Sequence, residues 1–244
     1  MLHKFLTLIR SAVFFLGQVI ATLFFASIGL MLFAFPYTVR YKFITLWSHF
    51  VILWAKWCCG ITYEVIGREN IPANNAIVLC KHQSAWETFF LQTILPPQTW
   101  VLKKELLAIP FFGWALSLLE PIAIDRKKAN SIKQLLEQGK QRLNQKRWVI
   151  IFPEGSRMPV GKTGKYSRSG VTLAKASGYD ILPIAHNAGV FWPRHSFIKR
   201  PGKISVVIGE PISVGALDES VIQNQVKDWI EHQSQNLLEE TKNS

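Results

Sequence analysis

The residues best suited to chemistry sit where apolar runs end. Cys80-Lys81-His82-Gln83-Ser84-Ala85-Trp86-Glu87 follows a short apolar segment and leads into a helical one, so a histidine falls at a strand-to-helix turn. Ligands in open α/β sheets bind beyond the carboxyl ends of the strands, which puts His82 where a substrate would lie. A neutral imidazole can take a proton from an alcohol near neutral pH. It does so better when a carboxylate fixes its tautomer and stabilises the imidazolium, and Glu87, one turn into the helix, could supply that carboxylate. The same residues also read as a capping box, S-x-x-E. In that reading Ser84 caps the helix and Glu87 reaches back to the Ser84 N–H.

Two further strand ends carry charge. In Val149-Ile150-Ile151-Phe152-Pro153-Glu154-Gly155-Ser156-Arg157, an apolar strand runs into a Pro-Glu-Gly turn. Backbone N–H groups of such a turn can bind an anion, and the planar fork of Arg157 suits a phosphate. The alternative is a tight turn with a solvated arginine. Pro121-Ile122-Ala123-Ile124-Asp125-Arg126 ends in an acid and a guanidinium that either joins Arg157 around one phosphate or flanks the next helix as surface charge. Lys103 and Lys104, ahead of Pro110-Phe111-Phe112-Gly113-Trp114, could stabilise an anion. The aromatics could line an acyl channel or form core.

The elements that must position these groups alternate. Residues 61–67, 76–80, 99–103, 121–124, 148–152, 181–185 and 204–209 read as strands, and 85–95, 104–118, 128–146, 168–178 and 218–240 as helices. The expected fold is α/β, a mixed sheet of about seven strands flanked by helices, preceded by a membrane-anchoring helical segment. The catalytic domain is assigned to residues 61–244 and the anchor to 1–60. Residues 12–35 carry no charge, and a helix of that length rises roughly 36 Å, enough to cross a hydrocarbon core. No small-x-small cleavage site follows before Pro36, so the run reads as retained, with Pro36 ending the helix. A second apolar stretch, 43–61, contains His49, Lys56 and three tryptophans, which favours an interfacial or re-entrant helix.

The chain has 244 residues, is 49% hydrophobic and carries a formal charge of +12, a balance that points to anionic membranes or an acidic carrier protein. Nucleic acid is excluded as a partner because no zinc-finger spacing, RNP signature or basic helix accompanies the charge. The three cysteines, Cys58, Cys59 and Cys80, have no CxxC spacing, which indicates neither a zinc site nor a disulfide framework.

Together these segments resemble the PlsC-like glycerolipid acyltransferases, the 1-acylglycerol-3-phosphate acyltransferases and their relatives, over roughly residues 60–210. His82 to Glu87 is similar to the family's H-x4-D block, Ile122 to Arg126 to its second block, Phe152 to Arg157 to FPEGTR, and Ile181-Leu182-Pro183-Ile184 to its fourth. Glu87 departs from the usual Asp and Ser156 from the usual Thr. The H-x4-E form is also similar to lipid A late acyltransferases, which leaves the acceptor lipid open. The resemblance implies that His82 deprotonates the sn-2 hydroxyl of a lysophospholipid while Glu87 orients it. It also implies that Arg126, Glu154, Gly155, Ser156 and Arg157 hold the phosphoglycerol head, with Lys104 a candidate for oxyanion stabilisation. Neither metal nor cofactor is called for. Acyl-ACP or acyl-CoA is the co-substrate, membrane lipids and an acyl carrier protein are the expected partners, and a bacterial inner membrane, with the domain on its cytoplasmic side, is the expected location. Two other classes compete. A non-catalytic binder of anionic lipids would share the charge but leaves the histidine and arginines at strand ends unexplained. A serine hydrolase lacks its G-x-S-x-G elbow, because Ser156 lies in Glu-Gly-Ser-Arg.

Overall fold

The computed structural model describes residues 2–124, 130–215 and 217–243, with side chains from residue 4 onward. In chain order it contains α1 (Leu2–Met31), α2 (Tyr37–Cys59), β1 (Ile61–Ile66), β2 (Ile77–Cys80), α3 (Trp86–Ile94), β3 (Gln98–Lys103), α4 (Phe112–Ser117) and β4 (Ile122–Ile124). Then follow α5 (Ser131–Asn144), β5 (Trp148–Ile151), α6 (Ser169–Ser177), β6 (Ile181–His186), α7 (Ala188–Phe191), β7 (Gly202–Ile208) and α8 (Glu219–Asn243). The strands form a seven-stranded sheet in the order β1-β7-β6-β2-β5-β3-β4. It is mixed, as expected: β6 and β7 pair antiparallel and the other neighbours parallel.

Central strands β2 and β5 are buried along their whole length, and the two-residue period of a strand divides their side chains between two cores. Val78, Cys80, Trp148 and Ile150 join the cluster under α2 and α3. Ile77, Leu79, Val149 and Ile151 join the one under α5, α6 and α8. Both helical layers therefore rest on one sheet, and the carboxyl ends of β2 and β5 emerge side by side.

The N-terminal helices differ from expectation in detail. α1 ends at Met31, ahead of Pro36, which instead sits at the N-cap of α2. Proline is well tolerated at a helix start because the N–H it lacks has no intrahelical partner there. α2 turns a helical-period stripe, Tyr41, Ile44, Ser48, Val51, Ile52, Ala55 and Cys59, into the sheet's core. It ends at Gly60 in the left-handed conformation, φ 68°, which glycine adopts without steric cost. α1 lies along α2 and is tied to the domain: Ser11 Oγ accepts from the Lys199 N–H at 3.0 Å, and Phe14 packs edge-on to Trp192 at 5.0 Å. Its outward row of Phe5, Ile9, Val13, Leu16, Ile20 and Phe24 is exposed.

Residues 104–118, expected as one helix, divide into a 3-10 turn at Lys104–Ala108 and α4. Pro110 is the cause. It biases Ile109 to an extended conformation (φ −69°, ψ 121°) and cannot donate a helical hydrogen bond.

Candidate active site

His82 follows the end of β2 and stands in front of the first turn of α3. Its Nδ1 lies 2.8 Å from Glu87 Oε1, and that oxygen also accepts the Gln83 and Ser84 N–H groups at 3.1 and 3.0 Å. An oxygen already receiving two donors requires the imidazole to donate, so Nδ1 carries the proton and Nε2 is left as the basic nitrogen. Ser84 Oγ accepts the Trp86 N–H at 3.1 Å. The two readings of Glu87 thus coexist: one carboxylate caps α3 and orients the histidine. Glutamate can do both because its added methylene reaches from the helix back over the turn. The ring stacks on Phe152 at 4.1 Å and 19°, which fixes its remaining rotation.

Glu87 is buried, and burial pushes its carboxyl up. The imidazoles of His186 and His82 and the Ser84 N–H outweigh that and hold it below the usual carboxylate range. His186 accepts the Ala188 N–H at Nδ1 (3.2 Å), so its Nε2–H donates to the Lys81 carbonyl at 2.9 Å. Burial lowers the His186 pKa, against the opposing pull of the Glu87 carboxylate.

Lys81 precedes the histidine and is 1% exposed. Its Nζ donates to Glu154 at 2.8 Å, to Glu231 of α8 at 2.7 Å and to the Lys162 carbonyl at 3.2 Å. Glu154 accepts in addition from the His82 N–H at 3.1 Å and the Gly164 N–H at 3.0 Å. Its carboxylate is enclosed behind the histidine, not turned toward a ligand. It braces β2, the 154–167 segment and α8, the place the structure gives a residue to which the resemblance assigns a headgroup role. A family motif carries no side-chain direction, and here the buried ammonium captures the carboxylate.

His82 opens onto a cavity of about 700 Å³, within the range of small-molecule sites. Its apolar lining includes Phe25 and Ala26 of α1, Ile44 and Trp47 of α2, Phe89 of α3, and Phe112, Ala115 and Leu116 of α4. The same cavity is lined by His82 with Gly155, Ser156, Arg157, Lys103, Arg194 and His195. Gly155 has φ 69°, the left-handed backbone that lets the turn fold close to the ring. The structure thus gathers His82, Gly155, Ser156 and Arg157 at one mouth, with Glu87 behind. Both lysines, Lys103 and Lys104, are exposed, and of the two Lys103 belongs to the cavity lining. Lys103 is the last residue of β3 and Lys104 the first of the 3-10 turn, so the two do not share one backbone geometry. Arg126 lies outside the described residues. Arg194, His195, Lys81 and Glu231 were not singled out by sequence reasoning. The only local signal was a lysine beside a catalytic-type histidine.

A family model described as Acyltransferase matches residues 62–187. Over 176 residues, 71% of the chain and 68% of its relative, the sequence is 53% identical to a 1-acyl-sn-glycerol-3-phosphate acyltransferase of Pseudomonas aeruginosa. It is 27% identical to the protein of the same name from Cocos nucifera over 225 residues, 91% of this chain and 72% of that one. The crystal structure of the 1-acyl-sn-glycerophosphate (LPA) acyltransferase PlsC from Thermotoga maritima superposes with a TM-score of 0.79 at 21% identity, covering 96% of this chain and 97% of that one, and shares its fold.

Proposed function

The chain belongs to the acyltransferase family, and from that premise we propose that it transfers a fatty acyl group from an acyl thioester to the sn-2 hydroxyl of 1-acyl-sn-glycerol 3-phosphate, giving phosphatidic acid for phospholipid biosynthesis. One observation carries this reading: a histidine–carboxylate pair opens onto a single cavity lined both by apolar side chains and by Lys103, Arg157 and Arg194. The names of the relatives support the acceptor.

In the proposed reaction Nε2 of His82 takes the hydroxyl proton as the oxygen attacks the thioester carbonyl. Glu87 stabilises the imidazolium that forms. The tetrahedral intermediate collapses, the C–S bond breaks, and the thiolate leaves with the proton that His82 returns. Arg157 and Ser156 hold the anionic head, and Lys103 takes the oxyanion role first assigned to Lys104. Acyl-ACP or acyl-CoA is the donor and no cofactor takes part. Residues 1–60 serve as the membrane anchor. Because α1 is packed against the domain along its length, its exposed apolar row enters one leaflet with the helix lying along the surface. The cavity, walled partly by α1 and α2, then opens beside the lipid. The membrane is assigned as a bacterial inner membrane, with the domain on its cytoplasmic side.

Incubating the full chain in lipid vesicles with each donor and a panel of lysolipids, with products read by mass spectrometry, tests this. Phosphatidic acid is expected as the main product. Preferential acylation of a different lysolipid, or release of free fatty acid alone, contradicts it.

A further inference from the structure

The cations at the cavity mouth differ from the buried Lys81 and Arg147, which are both ion-paired. Among the described residues no ion pair joins Arg157, Arg194 or Lys103 to any carboxylate. Arg194 is held by a constructed loop. After α7 the chain turns through residues 192–200, and the Arg200 N–H donates back to the Phe191 carbonyl at 2.8 Å. The largely buried Lys199 ammonium donates to the Ser196 and Phe197 carbonyls, both at 3.0 Å. His195, within the loop, adopts φ 56°, a conformation that L residues keep only where the surroundings over-determine it. From this loop Arg194 reaches across, and its Nη1 donates to the backbone carbonyl of Arg157; both residues line the cavity onto which His82 opens. Arg157 in turn has an enclosed Nε–H with no hydrogen-bond partner. An enclosed cationic donor with no partner is costly unless a ligand meets it, and an anion is what two arginines lining one cavity would meet.

We propose that Arg194 is a substrate-binding residue, supplying with Arg157 a two-guanidinium pocket for a phosphate ester at the mouth of the acyl cavity. This rests on the acyl-transfer reading and names a second arm of its anion site. Nη1 of Arg194 is committed to the Arg157 carbonyl. A guanidinium has five N–H donors, so the remaining ones are available to phosphate oxygens in the fork geometry that a lysine cannot reproduce. The phosphate belongs either to the lysophosphatidate head or to the pantetheine arm of the donor, which share this chemistry.

Binding, measured without turnover, separates the pocket from the reaction. The full chain in detergent is titrated with lysophosphatidate, with monoacylglycerol (the same lipid without its phosphate) and with coenzyme A, following tryptophan fluorescence. Arg194→Gln is expected to weaken binding of a phosphate ester by about ten- to a hundred-fold, the usual size of a lost charged hydrogen bond. Monoacylglycerol binding should stay unchanged, which also reports that the variant is folded. Arg194→Lys should fall in between. A loss confined to lysophosphatidate assigns the phosphate to the acceptor, and one confined to coenzyme A assigns it to the donor; either supports the pocket. Unaltered binding of both phosphate esters, or an equal loss for monoacylglycerol, overturns it. Failure of the transfer reading would look different: the unaltered chain would bind phosphate esters in this manner yet form no acylated product.

Discussion

Two sides of the same histidine handle charge in opposite ways. Behind His82, Lys81 is closed between Glu154 and Glu231, Glu154 also takes the His82 N–H, and Glu87 takes the ring. In front, Arg157 and Arg194 stand together with no carboxylate beside them among the described residues. Every cation behind the ring is matched inside the protein, so those groups hold geometry. The cations in front are left for something that arrives. A buried charge with a full set of partners is therefore a brace, and one without them is reserved for a ligand.

Substitutions can break this contrast. The largest effect is expected for Glu87→Gln. The amide oxygen can still accept the Gln83 and Ser84 N–H groups, so α3 stays capped, but the charge that stabilises the imidazolium is lost. By analogy with triad carboxylates, kcat should fall by roughly 10²–10⁴-fold with little change in thermal stability; near-normal turnover would reduce Glu87 to a cap.

Lys81→Met comes next. It leaves two carboxylates facing each other in a closed space, one fully enclosed, and should cost about 3–5 kcal/mol of stability, read as a lowered midpoint in thermal melts. At the front, Arg157→Gln should raise KM for the phosphate-bearing substrate by about ten- to a hundred-fold. It should alter stability by no more than about 0.5 kcal/mol. If it melted the protein as Lys81→Met does, the division between front and back would disappear.

The smallest effect concerns pH. Burial raises the Glu231 pKa, but hydrogen bonds from Lys81, Thr163 and Tyr166 outweigh it and lower the value on folding. A depressed folded pKa means the contribution is complete above the unfolded value, about 4.3, and is lost as pH falls below it through the folded value. Melting temperature should therefore decline in that acid range, and Glu231→Gln, which has no charge to lose, should decline less steeply.

Much of the fold was legible from residue types. The seven strands emerge from β-branched, apolar runs closed by Gly, Pro or charge, a trace that is strongest for β2, β5 and β6, which are buried along their whole length. Ile109-Pro110 carried the signal that splits 104–118, yet the apolar residues on either side masked it. α2 was harder. Its tryptophans and Lys56 suggest an interface, and only the sheet beneath it explains why Tyr41, Ile44, Ser48 and Val51 face inward. In the candidate site, His82, Glu87, Ser156 and Arg157 were legible as candidates because their motifs are local. Glu231 was not, since it lies 150 positions from Lys81, and Arg194 lies 37 from the carbonyl it holds. Pairings made by tertiary structure leave no spacing to read, and for the same reason the buried direction of Glu154 could not be inferred.

The most direct measurement is acyl transfer to lysophosphatidate by His82→Ala, with lysophosphatidate binding followed in parallel. Loss of the general base should lower kcat by roughly 10²–10⁴-fold while the lipid still binds, because the cations of the mouth remain. Turnover within tenfold of the unaltered chain would mean that the proton leaves the hydroxyl by another route and that this histidine is not the base.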